Sequence, residues 1–277
     1  MTEVVASRRA VRAAARRRRG RRGAAISALS TVVVIGGLIA LIVTSPGWDD
    51  VRQLFFSWED FRRAFPDVLD GFWLDVRMFM IVEVVVLGLG LLVALCRTSR
   101  AAALFPLRLL AIVFTDLLRG VPTILLVFLV GFGVPALQLS GVPSDPVILG
   151  CAALALSYSA YVAEVYRAGI DSVHPSQEAA ARSLGLTRTQ SLRFVIVPQA
   201  VRRVVPPLLN DFIGLQKDSA LVALIGPVEA FRQSQIEVAG SFNYTPYLAT
   251  ALLFVLLTIP LARFTDWLIA RDRRRQR

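Results

Sequence analysis

Charged side chains inside long apolar stretches are the groups in this sequence best placed to do chemistry. A charge at the centre of a membrane helix costs about 2.5–3.5 kcal/mol, so it persists where it is paired, hydrated or functional. Asp116 and Arg119 stand three residues apart, as do Glu164 and Arg167, and residues at this spacing share a helix face. We expect each pair to neutralise itself. Glu83 has no local partner, so it either contacts another helix or lines a hydrated path.

A second polar group closes an apolar stretch near residue 216. Lys217, Asp218 and Ser219 follow one another there, and Asn210 lies two helical turns earlier. Such a cluster can simply cap a helix end, or it can contact a polar solute. We take these residues, together with Glu83, as candidates for a solute path.

The sequence lacks the motifs of catalysis. Lys217 is the single lysine and has no glycine-rich run before it, so there is no phosphate-binding loop. No G-x-S-x-G or H-E-x-x-H string occurs. His174 stands alone, and Cys96 and Cys151 are isolated in apolar stretches. We therefore predict no catalytic residue, no metal site and no cofactor in this chain.

The elements that carry these residues are predicted to be membrane helices. Hydrophobic residues make up 55% of the 277, and residues 24–45 and 246–262 carry no charge. Uncharged apolar runs of about 18 residues or more indicate spanning helices. The fold class is thus an all-α polytopic bundle. Its six predicted spans are 25–45, 72–95, 105–138, 147–168, 194–216 and 245–268, the third broken near Gly120 and Pro122.

The distribution of arginine predicts the orientation. The net charge is +11, but the arginines cluster at the two ends and in alternate loops, which is the positive-inside pattern and not a nucleic-acid surface. We therefore expect a multi-pass protein of a bacterial cytoplasmic membrane with both termini cytoplasmic. The predicted interior segments are the Arg-rich tail 1–24, 96–104, 169–193 and the basic tail 269–277; the exterior ones are 46–71, 139–146 and 217–244.

Two segments before the second predicted span, 72–95, allow alternative interpretations. The run 25–45 is long for a secretory signal and has no A-x-A site after it, so we favour a retained first span over a cleaved signal. Segment 46–71 mixes aromatic residues with charges. It is either a helix lying at the outer membrane interface, in contact with lipid, or a partly ordered connecting loop.

The longest interior loop, 170–193, has the most informative pattern. Ser176 is suited to cap a short helix that Gly185 would end, and Thr187 with Gln190 fits a capping box for a second helix. The second helix leads into a span bent near Pro198. Alanines 179–181 leave little bulk on the first helix. The alternatives are docking into a cleft of a partner protein or a solvated helical turn, and we favour docking.

This loop resembles the "EAA" loop of permease subunits of ATP-binding-cassette importers, in the histidine, glutamine and glutamate branch. Residues 176–185 read SQEAAARSLG against the pattern G-Q-x-E-A-A-x-x-L-G, and 195–198 read VIVP. Strings similar to the family's stand in order elsewhere: RGVP at 119–122, AYVAEVYRAGI at 160–170, PQAVR at 198–202, PPLLN at 206–210 and KDSAL at 217–221. In this register Ala179 holds the place of the pattern's glutamate, and Glu178 precedes it.

The resemblance implies the permease fold of type I importers over residues 72–268, with 25–45 as an additional helix. It implies cytoplasmic ATPase subunits that bind ATP and Mg²⁺, a second permease subunit, an external solute-binding protein and an amino-acid substrate. Gln177, Glu178, Ala179, Ala180, Gly185 and Pro198 are the residues expected to couple to the ATPase. The substrate is expected to be a polar amino acid with an acidic or amide side chain, glutamate or glutamine, with glutamate first because Lys217 could face an anionic group. The alternative is an ion-coupled secondary transporter that uses intramembrane carboxylates such as Glu83.

Overall fold

The computed structural model describes residues 26–99 and 101–275, with side chains to Arg271. The expectations for the tail 1–24 and for the end of segment 269–277 lie outside these residues. The described chain is helical and holds no strand. Its α-helices are α1 Ile26–Val43, α2 Trp48–Phe55, α3 Trp58–Thr98, α4 Phe105–Gly120, α5 Thr123–Ala136, α6 Pro146–Asp171, α7 Pro175–Ser183, α8 Arg188–Ser191, α9 Val197–Asp218, α10 Ala230–Ser241 and α11 Thr245–Arg275.

The chain divides into two compact units, Met1–Phe56 and Ser57–Arg277. Within the described part of the first unit, α1 is long and apolar enough to cross a membrane, and none of its apolar window is buried. The short helix α2 begins with Asp49 and Asp50 in its first turn, where negative charge favours a helix.

In the second unit, α3 is a single helix of 41 residues, about 60 Å long. Ser57 caps it by accepting a hydrogen bond from the Asp60 N–H at 3.3 Å. The predicted interfacial segment 46–71 is therefore divided, since residues 58–71 continue directly into the span. The physical reason is packing: Phe61, Phe65 and their neighbours on α3 lie against α10 and α11 in an apolar cluster, so this aromatic face is not left for the membrane surface.

Helix α6 lies at the centre of the second unit. It contacts α3, α4, α5 and α9, and 61% of its apolar window is buried. Asp145 caps its first turn by accepting hydrogen bonds from the Val147 and Ile148 N–H groups. Small residues let neighbouring helices approach closely. They recur among the buried residues of α6: Gly150, Ala153, Ala155, Ser157, Ser159, Ala160, Ala163 and Gly169.

The third predicted span, 105–138, consists of two helices that meet at a sharp angle. The helical segments Ala102–Gly120 and Thr123–Ala136 meet at 107°, because Pro122 between them cannot donate the backbone hydrogen bond that would continue α4. Four helices of the described residues are long and apolar enough to cross a membrane, or five if this bent pair is one span. The predicted span 194–216 is not among them, since α9 carries Arg202, Arg203 and Lys217.

The connection from α9 to α11 is folded back into the bundle. A 3-10 helix, Ser219–Ile225, follows α9, and Glu229 then caps α10 by accepting hydrogen bonds from the Phe231 and Arg232 N–H groups at 2.8 and 2.7 Å. Burial raises the pKa of the Glu229 carboxyl, and these two backbone bonds oppose that rise. The start of α10 lies against Gly71 of α3, where a Cβ atom would come within 2.7 Å of the Ala230 nitrogen.

Candidate functional site

The loop between α6 and α9 begins with a short capped helix. Helix α7 starts at Pro175, and the His174 side chain accepts a hydrogen bond from the Ser176 N–H at 3.2 Å. The prediction that Ser176 is the cap was wrong: the cap is His174, because proline at the first helical position moves the start two residues earlier. Glu178 still lies in the first turn, as expected.

The end of α7 and the start of α8 confirm the predicted local pattern. Gly185 has φ +86°, a left-handed conformation that favours glycine. The Leu186 N–H reaches back to the Ala181 carbonyl at 3.2 Å, and the Gly185 N–H reaches the Arg182 carbonyl at 3.0 Å, which is the Schellman closure of a helix. Thr187 and Gln190 form the predicted capping box in both directions. The turn between the two helices is thus fixed by backbone bonds.

One side of α7 is presented to solvent. Gln177, Ala180 and Leu184 stand at spacings of three and four residues, so they share a side of the helix, and all three are exposed. Leu184 is 84% exposed. We call these three residues the loop face. Ala181 is buried instead, and Glu178 is half-buried. Ala179 is exposed next to the loop face.

The loop is also bonded to the bundle, in part through Gln177 of the loop face itself. Arg203 of α9 donates a hydrogen bond to the Ser172 carbonyl at the end of α6, and Gln199 Nε2 donates to Gln177 Oε1 at 3.4 Å. Val173 also packs with Ile196 and Ala200 in a small apolar cluster of its own. A displacement of α7 would therefore be transmitted to α6 and α9 together.

The junction with α9 is irregular, as the prediction of a bend near Pro198 expected. A π-helical turn, Leu192–Ile196, separates α8 from α9, and Pro198 lies in the first turn of α9. A π-turn widens the helix by one residue and is common at functional sites. Pro198 contributes by lacking the N–H that a regular helix would use here.

The charged residues at this end of the bundle form one cluster around Glu164. Its carboxylate accepts from Arg167, from Arg97 Nη1 at 3.0 Å, and lies 3.9 Å from Arg119 Nη1. The Glu164–Arg167 pair is confirmed. The predicted Asp116–Arg119 pair is wrong, because Arg97 of α3 reaches between them: Asp116 lies 3.6 Å from Arg97. We call this group the Glu164 cluster; it joins α3, α4 and α6.

The predicted solute-path residues are divided between two sides of α9. Asn210 and Lys217 are seven residues apart, hence on one side, and both are exposed. Lys217 borders a cavity of about 620 Å³ whose other lining residues are Ala220, Phe231, Tyr247, Thr250, Ala251 and Phe254. Asp218 is turned about 100° from Lys217 on the helix, and it accepts a hydrogen bond from the Tyr158 hydroxyl at 2.8 Å.

Glu83 and Ser219 lie inside the bundle. Glu83 is half-buried and close enough to Asp211 of α9 for their charges to interact. Ser219 is fully buried, and its hydroxyl donates to the Gln216 carbonyl at 2.9 Å. A hydroxyl engaged in this way is not presented to a solute. Of the predicted set, Asn210 and Lys217 are therefore the residues open to one.

Three contributors were missed by the sequence reasoning. Arg97 was treated as a loop charge, although its position just beyond an apolar run could have suggested a helix end. Leu184 entered the sequence analysis only as a position of the EAA pattern, although it is a large apolar residue on a polar loop. Tyr158 gave no signal, because its bond to Asp218 spans 60 residues. Among the described residues no cluster of His, Cys, Asp or Glu could hold a metal ion.

Comparison with known proteins gives consistent matches. Residues 87–274 match the family described as "Binding-protein-dependent transport system inner membrane component". Two proteins of Bacillus subtilis (strain 168) are similar: the "Probable amino-acid permease protein YxeN", 34% identical over 73% of this chain and 90% of its own, and the "Probable glutamine ABC transporter permease protein GlnM", 32% identical over 73% and 92%. The crystal structure of an amino acid ABC transporter with histidines superposes with a TM-score of 0.71 at 30% identity, covering 78% of this chain and 98% of that one.

Proposed function

We propose a function from one premise: the chain belongs to the family of binding-protein-dependent transport system inner membrane components. It is a membrane permease subunit of an ATP-binding-cassette importer of amino acids, and it is not itself the ATPase. The alternative of an ion-coupled secondary transporter is disfavoured by this membership. The coupling residues, the partners, the orientation and the preferred substrate are the parts that we propose.

The observation that carries the proposal is the loop 170–193. Its turn is fixed by the Schellman closure at Gly185 and the capping box at Thr187, so it behaves as one rigid body. The loop face Gln177, Ala180 and Leu184 is exposed, and its small and apolar side chains suit a cleft of another protein. We assign this face, with Glu178 and Ala179 beside it, to contact with a cytoplasmic ATPase subunit.

Coupling would be mechanical. The ATPase subunits bind ATP and Mg²⁺, and closure of the ATPase pair moves α7 as a rigid element. The bonds from Arg203 to Ser172 and from Gln199 to Gln177 pass that movement to α6 and α9. Because α9 carries Asn210 and Lys217, the same movement would open their side of the helix first to one membrane face and then to the other.

Two further partners complete the assembly. A second permease subunit, identical or homologous, would face the exposed side of α9 and enclose the solute path. An external solute-binding protein would deliver the amino acid to the opposite end of the bundle.

The orientation follows the arginine distribution, with the loop 170–193 and both termini cytoplasmic. Cysteine labelling in intact cells tests it. Ser183→Cys should be shielded from an impermeant maleimide, and Asp50→Cys should react with it. Labelling of Ser183→Cys from outside would reverse the orientation.

The substrate is proposed to be a polar amino acid, with glutamine preferred to glutamate. Lys217 supplies one cationic group for a carboxylate, which every amino acid carries. Asp218 adds negative charge beside Lys217 at the end of α9, and negative charge disfavours an acidic side chain. The similarity to a probable glutamine permease supports a substrate with an amide side chain. Competition of unlabelled glutamine and glutamate against uptake of labelled glutamine would decide between them.

Reconstitution tests the function as a whole. Liposomes that contain this chain, its permease partner and the ATPase should take up labelled amino acid only when ATP and the binding protein are both present. Uptake by the permease alone, driven by an ion gradient, would overturn the proposal and restore the secondary-transporter alternative.

A bulky residue on the loop face tests the docking site. Ala180→Trp should abolish ATP-driven uptake while leaving membrane insertion intact, because an indole cannot enter a cleft that fits alanine. The matched control is Ala40→Trp, at an exposed alanine of the apolar helix α1, which should retain uptake. Normal coupling in Ala180→Trp would contradict docking at this face.

A further inference from the structure

A groove between α9 and α11 has no role in the function described so far. Its volume is about 380 Å³. Its floor is aliphatic, from residues of both helices, and two arginines border it. The lining residues are Val201, Arg202, Val205, Pro206, Leu268, Ile269 and Arg271; we call this the α9–α11 groove.

The two arginines of the groove are available for an anion. Among the side chains that the structure describes, which end at Arg271, neither Arg202 nor Arg271 has a carboxylate partner. The contrast with Arg203 is informative, because that adjacent side chain is engaged with the Ser172 carbonyl. Arg271 lies over the Trp267 ring at 5.2 Å, which fixes its guanidinium beside the groove. Two guanidinium groups that border one groove repel each other unless an anion lies between them.

The surroundings of the groove indicate a membrane and not an aqueous ligand. Only 22% of the apolar window of α11 is buried, so most of this helix surface needs an apolar partner. Trp267 is half exposed, as expected for an aromatic residue at headgroup level. Arg273, Arg274 and Arg275 follow in the last turn of α11, with one acidic residue, Asp272, among them. Basic grooves between membrane helices on the cytoplasmic side bind anionic lipid headgroups.

We propose that the α9–α11 groove binds an anionic phospholipid. The phosphate lies between Arg202 and Arg271, and an acyl chain lies on the floor formed by Val201, Val205 and Leu268. A free phosphate or a nucleotide would gain nothing from that aliphatic floor. A neutral phospholipid would fill the floor but carries a headgroup cation that the arginines repel. Because α9 also holds the coupling loop through Arg203, the lipid joins the moving helix to α11.

Quenching of Trp267 by brominated lipid tests the site directly. The full-length chain is placed in phosphatidylcholine nanodiscs that contain a minor fraction of either dibrominated phosphatidylglycerol or dibrominated phosphatidylcholine. The fluorescence of Trp267 is obtained as the difference between the emission of the wild-type chain and that of Trp267→Phe. We expect clearly stronger quenching by the anionic lipid, each guanidinium contributing about fivefold to the preference.

The variants separate a built site from general attraction to charge. Arg202→Gln lies on the other helix and leaves the Arg271–Trp267 contact in place; it should reduce the preference for phosphatidylglycerol several-fold. The control Arg263→Gln removes an 80% exposed arginine of α11 that lies outside the groove, and it should keep the preference. Equal quenching by both lipids, or equal loss in both variants, would overturn the proposal. Absence of quenching by either lipid would show that protein covers the groove, and would overturn it as well.

Discussion

At the scale of single residues, Glu164 is the most connected charge in the described structure. Three arginines from three helices converge on its carboxylate. The Glu164 side chain is 20% exposed and that of Arg97 is 18% exposed. If either partner were removed, water could therefore replace little of the lost interaction. The cluster therefore fixes the ends of α3, α4 and α6 relative to one another, beside the loop that α6 leads into.

Removing the Glu164 carboxylate should cost more than removing a surface carboxylate. Glu164→Gln removes the nearer carboxylate from Arg97 and leaves it only the exposed Asp116 at 3.6 Å. We expect a loss of about 2 kcal/mol in stability. Asp266→Asn breaks the exposed pair with Arg263, whose atoms are 3.6 Å apart, and should cost less than about 1 kcal/mol. Thermal unfolding of both variants in detergent measures the difference. Equal transition temperatures would contradict the central role of Glu164.

The Glu164 cluster also shows how far residue-level prediction reached. The i, i+3 spacing identified the Glu164–Arg167 pair, because both partners lie on one helix. The same spacing predicted Asp116–Arg119 wrongly, because a competing arginine arrives from another helix, and no local rule reports on contacts between separate helices. Glu83 and Ser219 illustrate the same limit: the sequence shows that they are polar, but not that one faces Asp211 and the other is closed off inside the bundle.

At the scale of elements, helix boundaries that depend on caps were predictable and those that depend on tertiary packing were not. Gly185 and the capping box at Thr187 are local chemistry, and the structure has both. A helix before residue 72 was one of the two alternatives for segment 46–71. Its direct continuation from Trp58 into the span depends on contacts with α10 and α11 that the sequence does not display. The span predicted at 194–216 is a helix, but its arginines and lysine make it less apolar than its neighbours.

The contact between α3 and α10 gives a prediction about close packing. Gly71→Ala places a methyl group against backbone atoms of Glu229 and Ala230. Backbone cannot give way as a flexible side chain can, so we expect destabilisation of about 1–3 kcal/mol. Gly88 lies on the same helix with open space around it, and Gly88→Ala should be neutral or slightly stabilising. Thermal unfolding should show a clearly lower transition temperature for Gly71→Ala than for Gly88→Ala.

The coupling loop gives a prediction about an apolar anchor. Leu184→Ala should weaken binding of the ATPase about tenfold, since a large apolar residue that becomes buried at an interface often contributes more than 1 kcal/mol. Leu129→Ala on α5 removes a leucine that is 64% exposed but far from the loop. The measurement is the ATPase concentration that half-saturates uptake in liposomes. A normal value for Leu184→Ala would remove Leu184 from the interface.

At the scale of the whole molecule, the chain consists of a family core and an N-terminal unit. The match to the family begins at residue 87, and the second compact unit begins at Ser57. The helices α3, α4, α5 and α9, which pack around α6, belong to that second unit. The fold of the core was predictable in class because apolar runs and the loop pattern are explicit in the sequence, whereas its internal arrangement was not.

Deletion of residues 1–56 tests whether the core is self-sufficient. The remaining chain keeps Ser57, whose N–H donates to Thr245 Oγ1 at 3.0 Å and whose side chain caps α3. We expect the truncated protein to insert and to unfold at a temperature close to that of the full chain. ATP-driven uptake with the complete set of partners should persist. A large fall in the transition temperature would show that the first unit stabilises the core.

The central position of α6 has a consequence for biogenesis. Ribosomes deliver helices in chain order, so α3, α4 and α5 enter the membrane before the helix they pack around has been synthesised. Until Asp171 has left the ribosome, the part of α3 that packs against α6 has only lipid or an insertase as its neighbour. Assembly of the core is therefore delayed until α6 arrives, and the waiting helices are open to wrong partners in the meantime. A substitution that slows the insertion of α6 would reduce the amount of protein in the membrane, even where the assembled molecule tolerates it.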